Sequence, residues 1–100
     1  MNGFTALADP TRRRIVDLLA DDERDAGSIA AGFDISKPAI SRHLRVLRDG
    51  GIIQVRQQAQ RRIYSLRPDG LREIDRWLSR YRSFWSERLD DLEAAVKEEQ

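Results

Sequence analysis

Apolar residues recur at helical spacing over most of the chain. Ile15, Leu18 and Leu19 share one side of a stretch from Pro10 to Ala20, and Ile40, Leu44 and Leu47 fall within a narrow arc after Ser36. Both stretches are punctuated as helices. Asp9 can accept from the free N–H groups of a first turn, and Pro10 has no N–H to leave unpaired there. Ser36 caps the later helix, Pro38 lies in its first turn, and Gly50-Gly51 stops it. Two shorter helices are predicted over Gly3–Ala8, with Phe4, Leu7 and Ala8 for packing, and near Ala26–Gly32, with Asp25 as cap and Ile29, Ala30 and Phe33 inward. Asp21–Arg24 reads as a polar loop, and Phe33–Ile35 as a tight turn.

After the glycines the period changes. Ile52–Arg56 and Arg62–Leu66 are rich in Ile, Val and Tyr with polar residues between, which predicts a hairpin with its tip near Gln57–Gln60. A long helix follows from about Asp69 to Val96. On it Leu71, Ile74, Trp77, Leu78, Tyr81, Phe84, Trp85, Leu89, Leu92 and Val96 form a stripe about 140° wide, broad for a helix that packs on one neighbour. The order is helix, helix, helix–turn–helix, hairpin, long helix. The predicted fold is mainly α with a small β-hairpin: a winged helix-turn-helix with four helices, a two-stranded antiparallel wing and a long fifth helix.

One hundred residues make one domain, 1–100. A helix over 69–96 spans ~40 Å, more than such a domain covers alone. The economical cover is a second copy related by a two-fold axis, making this the dimerisation helix. Leu71, Ile74 and Leu78 are expected to pack on the core. Tyr81, Phe84, Trp85, Leu89 and Leu92 are expected at the dimer interface, with Phe4 and Leu7 of the first helix.

Charge sharpens the picture once it is mapped. The net charge of +1 hides a net −3 over residues 1–34, +7 over 35–67 and −3 over 68–100. A basic middle segment is the usual electrostatic footprint of a nucleic-acid surface. It coincides with the helix after Ser36, whose outer side carries Pro38, Ser41, Arg42, Arg45 and Asp49. The compact first turn (Ser36, Pro38, Ala39, Ser41) lets the helix end approach base edges, and its N-terminus attracts phosphate. Arg56, Arg61 and Arg62 surround a hairpin tip of Gln57, Gln58, Ala59 and Gln60, which suits a groove or the backbone beside it.

Other chemistries are thin. With no cysteine and a single histidine, His43, the chain offers no thiolate nucleophile, no disulfide and no clustered nitrogen and sulfur donors for a metal. It has no Gly-rich phosphate loop and no nucleophile with a paired base, so an enzyme is not expected. No apolar run approaches the ~20 residues of a membrane span, and no signal peptide is read. The expected location is the cytoplasm, on the nucleoid when DNA is bound. A competing reading is a dimeric helical protein-interaction module without DNA binding, which the basic middle disfavours. RNA binding lacks an aromatic platform on the hairpin.

Four stretches taken together resemble the ArsR family of bacterial repressors: Leu7-Ala8-Asp9-Pro10-Thr11-Arg12, Ile35 through Leu44, Leu47 through Ile53, and Arg61 through Leu66. The resemblance covers residues 4–66. It implies a homodimeric regulator, a repressor acting on an inverted-repeat operator in double-stranded DNA. By position, it implies base reading by Lys37, Pro38, Ser41 and Arg42, supported by Ser36. It implies phosphate contact by Arg45 and the wing arginines Arg56, Arg61 and Arg62. His43 is expected first to pack or hydrogen-bond. Where many members carry Gly-Arg at the wing tip this chain has Ala59-Gln60, similar to a subgroup that also carries a run like Tyr81-Arg82-Ser83-Phe84-Trp85. The positions matching the founding members' metal-binding cysteines are Asp25 and Gly27. The last helix has carboxylates such as Asp75 and Glu87 but no histidine, so no metal site and no cofactor are expected. The sequence identifies no small-molecule effector.

Overall fold

The computed structural model describes residues 2–98. Its helices are α1 (Gly3–Ala6), α2 (Pro10–Asp21), α3 (Ala26–Ala31), α4 (Lys37–Asp49) and α5 (Pro68–Glu98), and its strands are β1 (Arg24–Asp25), β2 (Ile53–Gln58) and β3 (Arg61–Leu66). Side-chain caps set the helix starts. Asp9 Oδ2 accepts from the Arg12 N–H at 3.0 Å, Asp25 Oδ1 from Ser28 at 2.7 Å and Ser36 Oγ from Ala39 at 3.2 Å. Asn2 does the same for α1 through Thr5. Arg12 and Arg13 reach back from α2 and donate to the carbonyls of Ala6 and Leu7, fastening the end of α1.

The core lies where α1–α4 meet the inner face of the sheet, around Ile15, Ile29, Ile40, Leu44, Leu47, Ile52, Ile53 and Tyr64. The predicted inward residues of α4 are all buried. The wing differs from the expected hairpin in two ways. It is a three-stranded antiparallel sheet in the order β1-β3-β2, because Arg24 and Asp25 pair with Tyr64 and Ile63. Its turn is also shorter than expected. Gln57 and Gln58 pair with Arg62 and Arg61, leaving only Ala59-Gln60 between the strands. Ala59 takes φ +56°, a conformation that glycine adopts more easily.

The base of α5 is held tightly. A Cβ on Gly70 would stand 1.9 Å from the Gly51 carbonyl oxygen, so only glycine permits this approach of α5 to the α4–β2 turn. Gly51 itself has φ +75°. Beyond this point Leu71 and Ile74 touch the core, but Leu78 does not; it is exposed, contrary to expectation. No residue of α5 is buried. The helix projects as a ~46 Å rod, giving the chain extents of 60 × 28 × 23 Å and a radius of gyration of 17.7 Å, against about 13 Å for a compact chain of this length.

Candidate nucleic-acid interface

On α4 the inward arc of Ile40, Leu44 and Leu47 leaves Ser36, Lys37, Pro38, Ser41, Arg42 and Arg45 exposed on the other side. Among the described residues, Lys37, Arg42, Arg45 and Arg62 make no ion pair. Their charge is therefore available to an outside anion. Lys37, Ser41 and Arg62 line one groove between α3, α4 and β3, whose floor includes Ile40, Leu44 and Tyr64. Arg62 lies over the Tyr64 ring, 5.9 Å from its centre.

The three wing arginines grouped by the sequence separate here. The register pairs Gln57 with Arg62 and Val55 with Tyr64 on the inner face, and Arg56 with Ile63 and Gln58 with Arg61 on the outer face. Arg62 thus lies on the same face as Tyr64, while Arg56 and Arg61 lie on the other. Both outer arginines are already occupied. Arg56 Nη1 and Nη2 donate to the two carboxylate oxygens of Glu23 at 2.5 Å each. Arg61 Nε donates to Asp25 Oδ2 at 2.9 Å, and its Nη2 bonds the same oxygen. The Arg56 hydrogen bond holds the Glu23 carboxyl below its ordinary range, and Glu23 in turn raises Arg56. Asp25 is held low first by the Ser28 N–H and then by Arg61. From sequence Glu23 is a loop residue, and Asp25 is a helix cap at a position matching a metal ligand of the founding members; neither reading pairs it with an arginine. Their partners lie more than thirty residues away in sequence, a distance no local pattern signals.

His43 sits half-buried on the flank of α4, its Nδ1 3.3 Å from Arg12 Nη1 and 3.9 Å from Asp9 Oδ2. Arginine can only donate, so Nδ1 accepts, and His43 is tied into the α1–α2 junction.

The expected dimer-interface residues of α5 form a continuous exposed stripe, from 39% exposure at Tyr81 through Phe84 and Trp85 to 62% at Leu89 and Leu92. Phe4 joins it by an edge-on contact with Trp77, ring centres 5.5 Å apart, and Trp77 continues to Tyr81. Trp77 thereby bridges α1 to the stripe, a role not assigned to it from sequence. Leu7 is different: it is half-buried and packs against the core. Among the described residues no cluster of His, Cys, Asp or Glu could hold a metal ion, and no helix is long and apolar enough to cross a membrane.

Comparison with known proteins places this geometry among relatives. The profile of the arsR family of bacterial regulatory proteins matches residues 9–55. The chain is 43% identical over 77 residues to the transcriptional repressor SdpR of Bacillus subtilis, covering 77% of this chain and 86% of that protein. It is 40% identical over 86 residues to an HTH-type transcriptional regulator of Mycobacterium tuberculosis, covering 86% and 78% respectively. Among solved structures, one described as a possible transcriptional regulator for arsenical resistance superposes with a TM-score of 0.75. It is 39% identical, and the match covers 94% of this chain and 95% of that one.

Proposed function

Because the chain belongs to the ArsR family of DNA-binding transcriptional regulators, and is not an enzyme, we propose that it is a cytoplasmic repressor acting as a homodimer on an inverted-repeat operator. The observation that carries this reading is the outer side of α4, where Lys37, Arg42 and Arg45 present unpaired positive charge beside a compact helix start. On the wing strands Arg56 and Arg61 are paired with carboxylates, whereas Arg62 shares the groove of Lys37 and Ser41, and this supports the α4 side as the one open to phosphate and base edges.

In this reading Lys37, Pro38, Ser41 and Arg42 meet bases in the major groove. Arginine supplies paired donors for guanine, and the small residues allow close approach. Ser36, Arg45 and Arg62 meet the phosphates that fix register. Arg56 and Arg61 flank this surface from the outer face of the wing. The α5 stripe of Tyr81, Phe84, Trp85, Leu89 and Leu92, with Phe4, forms the two-fold interface. Leu7 supports it from beneath, in keeping with its packing. Residues 69–96 are then a dimerisation helix carried on a single DNA-binding domain.

Selection of bound duplexes from a random pool tests the proposal. A two-fold dimer returns an inverted repeat with half-sites one helical turn, or a small multiple, apart. A pool with no enriched sequence, or binding that does not fall steeply with salt, would refute it.

A further inference from the structure

The outer arginines of the wing present a contradiction. Their sequence context suits phosphate, yet both are engaged by carboxylates of the segment that joins α2 to α3. Glu23 grips Arg56 with both oxygens, and Asp25 takes two donors of Arg61. Neither carboxylate is there by helix chemistry alone. Glu23 caps nothing. Asp25 divides its oxygens, giving Oδ1 to the Ser28 N–H and Oδ2 to Arg61. The β1–β3 pairing, Arg24 with Tyr64 and Asp25 with Ile63, delivers them to this position. The short strand that the sequence concealed therefore sets the charge state of the wing.

A carboxylate and a phosphate offer guanidinium the same kind of acceptor, so they compete for the same donors. The pairs are exposed, with roughly half of the Arg56 side chain and 65% of the Arg61 side chain open to solvent. Such pairs break at small cost. We propose that Glu23 and Asp25 are built-in competitors of DNA phosphate: they mask Arg56 and Arg61 in the free protein and are displaced when the wing closes on the backbone. The masking lowers affinity for every duplex alike while leaving base reading by α4 untouched, so it shortens residence on bulk DNA and leaves the operator-to-bulk ratio as α4 sets it. This inference rests on the wing lying beside DNA, as in the function proposed above.

The test compares Glu23→Gln and Asp25→Asn with the unaltered chain, in backgrounds with and without Arg56→Ala and Arg61→Ala. Asparagine keeps an acceptor for the Ser28 N–H, so the α3 cap survives. If Asp25→Asn nonetheless unfolds the chain, Glu23→Gln alone decides. The readout is affinity for a random-sequence duplex against salt concentration. Removing each carboxylate is expected to tighten binding about two- to five-fold per protomer and to steepen the salt dependence by about one phosphate equivalent. The gain from Glu23→Gln should vanish with Arg56→Ala, and that from Asp25→Asn with Arg61→Ala. Unchanged or weaker binding overturns the proposal. So does a gain that persists without the paired arginine, which would report only a general loss of negative charge. Failure of the DNA reading itself is distinguishable, because the unaltered chain would then show no steeply salt-dependent duplex binding for any carboxylate variant to alter.

Discussion

Asp9 serves two neighbours at the start of α2. Its carboxylate caps the helix through the Arg12 N–H and stands near His43, the residue that ties α4 to the α1–α2 junction. The Arg12 backbone bond, with the Arg12 charge assisting, holds its pKa below the ordinary carboxylate value. A lowered folded pKa means that the stabilisation is present above the unfolded value of about 3.9 and is lost as pH falls through the folded one. Asp9→Ala should cost about 1 kcal/mol at neutral pH. Asp9→Asn should keep most of the cap and melt with a flatter pH dependence below pH 4. Thermal unfolding of the three proteins between pH 2.5 and 7 checks this, and equal acid sensitivity in Asp9→Asn would refute it. Roles of this kind were legible in the sequence, since Asp9, Asp25 and Ser36 act on backbone groups three residues away. The placement of His43 against Arg12 was not, because it depends on how two helices cross.

At the scale of elements, α4 was legible from Ile40, Leu44 and Leu47 because a helical period declares its own buried side. The wing was legible only in outline. Strand pairing is non-local, so a polar run holding Arg24 and Asp25 carries no local sign of an edge strand, and Gln57 and Gln58 have turn-like composition although they pair with Arg62 and Arg61. The same pairing divides the wing arginines between two faces, and this yields a prediction. Arg42→Ala should cost about 1–3 kcal/mol on the operator and relax preference at one base pair in each half-site. Arg62→Ala should weaken all duplexes to a similar degree and lower the salt slope by about one. Repeating the duplex selection with each variant separates them. A changed site for Arg62→Ala with none for Arg42→Ala would reverse the assignment.

For the whole molecule, α5 is the decisive element. The breadth of its apolar stripe was readable from sequence, but the point where it leaves the core was not. Leu78, expected inside, is already outside, so the stripe is exposed from Trp77 onward. Burying a large apolar side chain contributes ~1.5–3 kcal/mol. Trp85→Ala combined with Leu89→Ala should therefore loosen the proposed dimer by several kcal/mol on this same estimate. Operator affinity should fall with it, since two linked half-site contacts bind far better than one. Sedimentation at micromolar concentration decides the matter; a folded dimer of undiminished strength would place the interface elsewhere.

The glycine at the foot of α5 has a mechanical consequence. With Ile74 resting on the core as fulcrum, Gly70 lies ~6 Å to one side of it and the far end of the helix ~36 Å to the other. The helix is thus a lever with a gain of about six. A methyl group at Gly70, forced off the Gly51 carbonyl by about 1 Å, would swing the tip by roughly 6 Å. If α5 joins the protomers, that swing reorients one reading head against the other. Gly70→Ala should then alter the spacing between selected half-sites while leaving the half-site sequence unchanged, and selection of an unaltered spacing by a folded Gly70→Ala dimer would argue against the lever. The smallest side chain in the protein would in this way set the calibre of the operator it can grip.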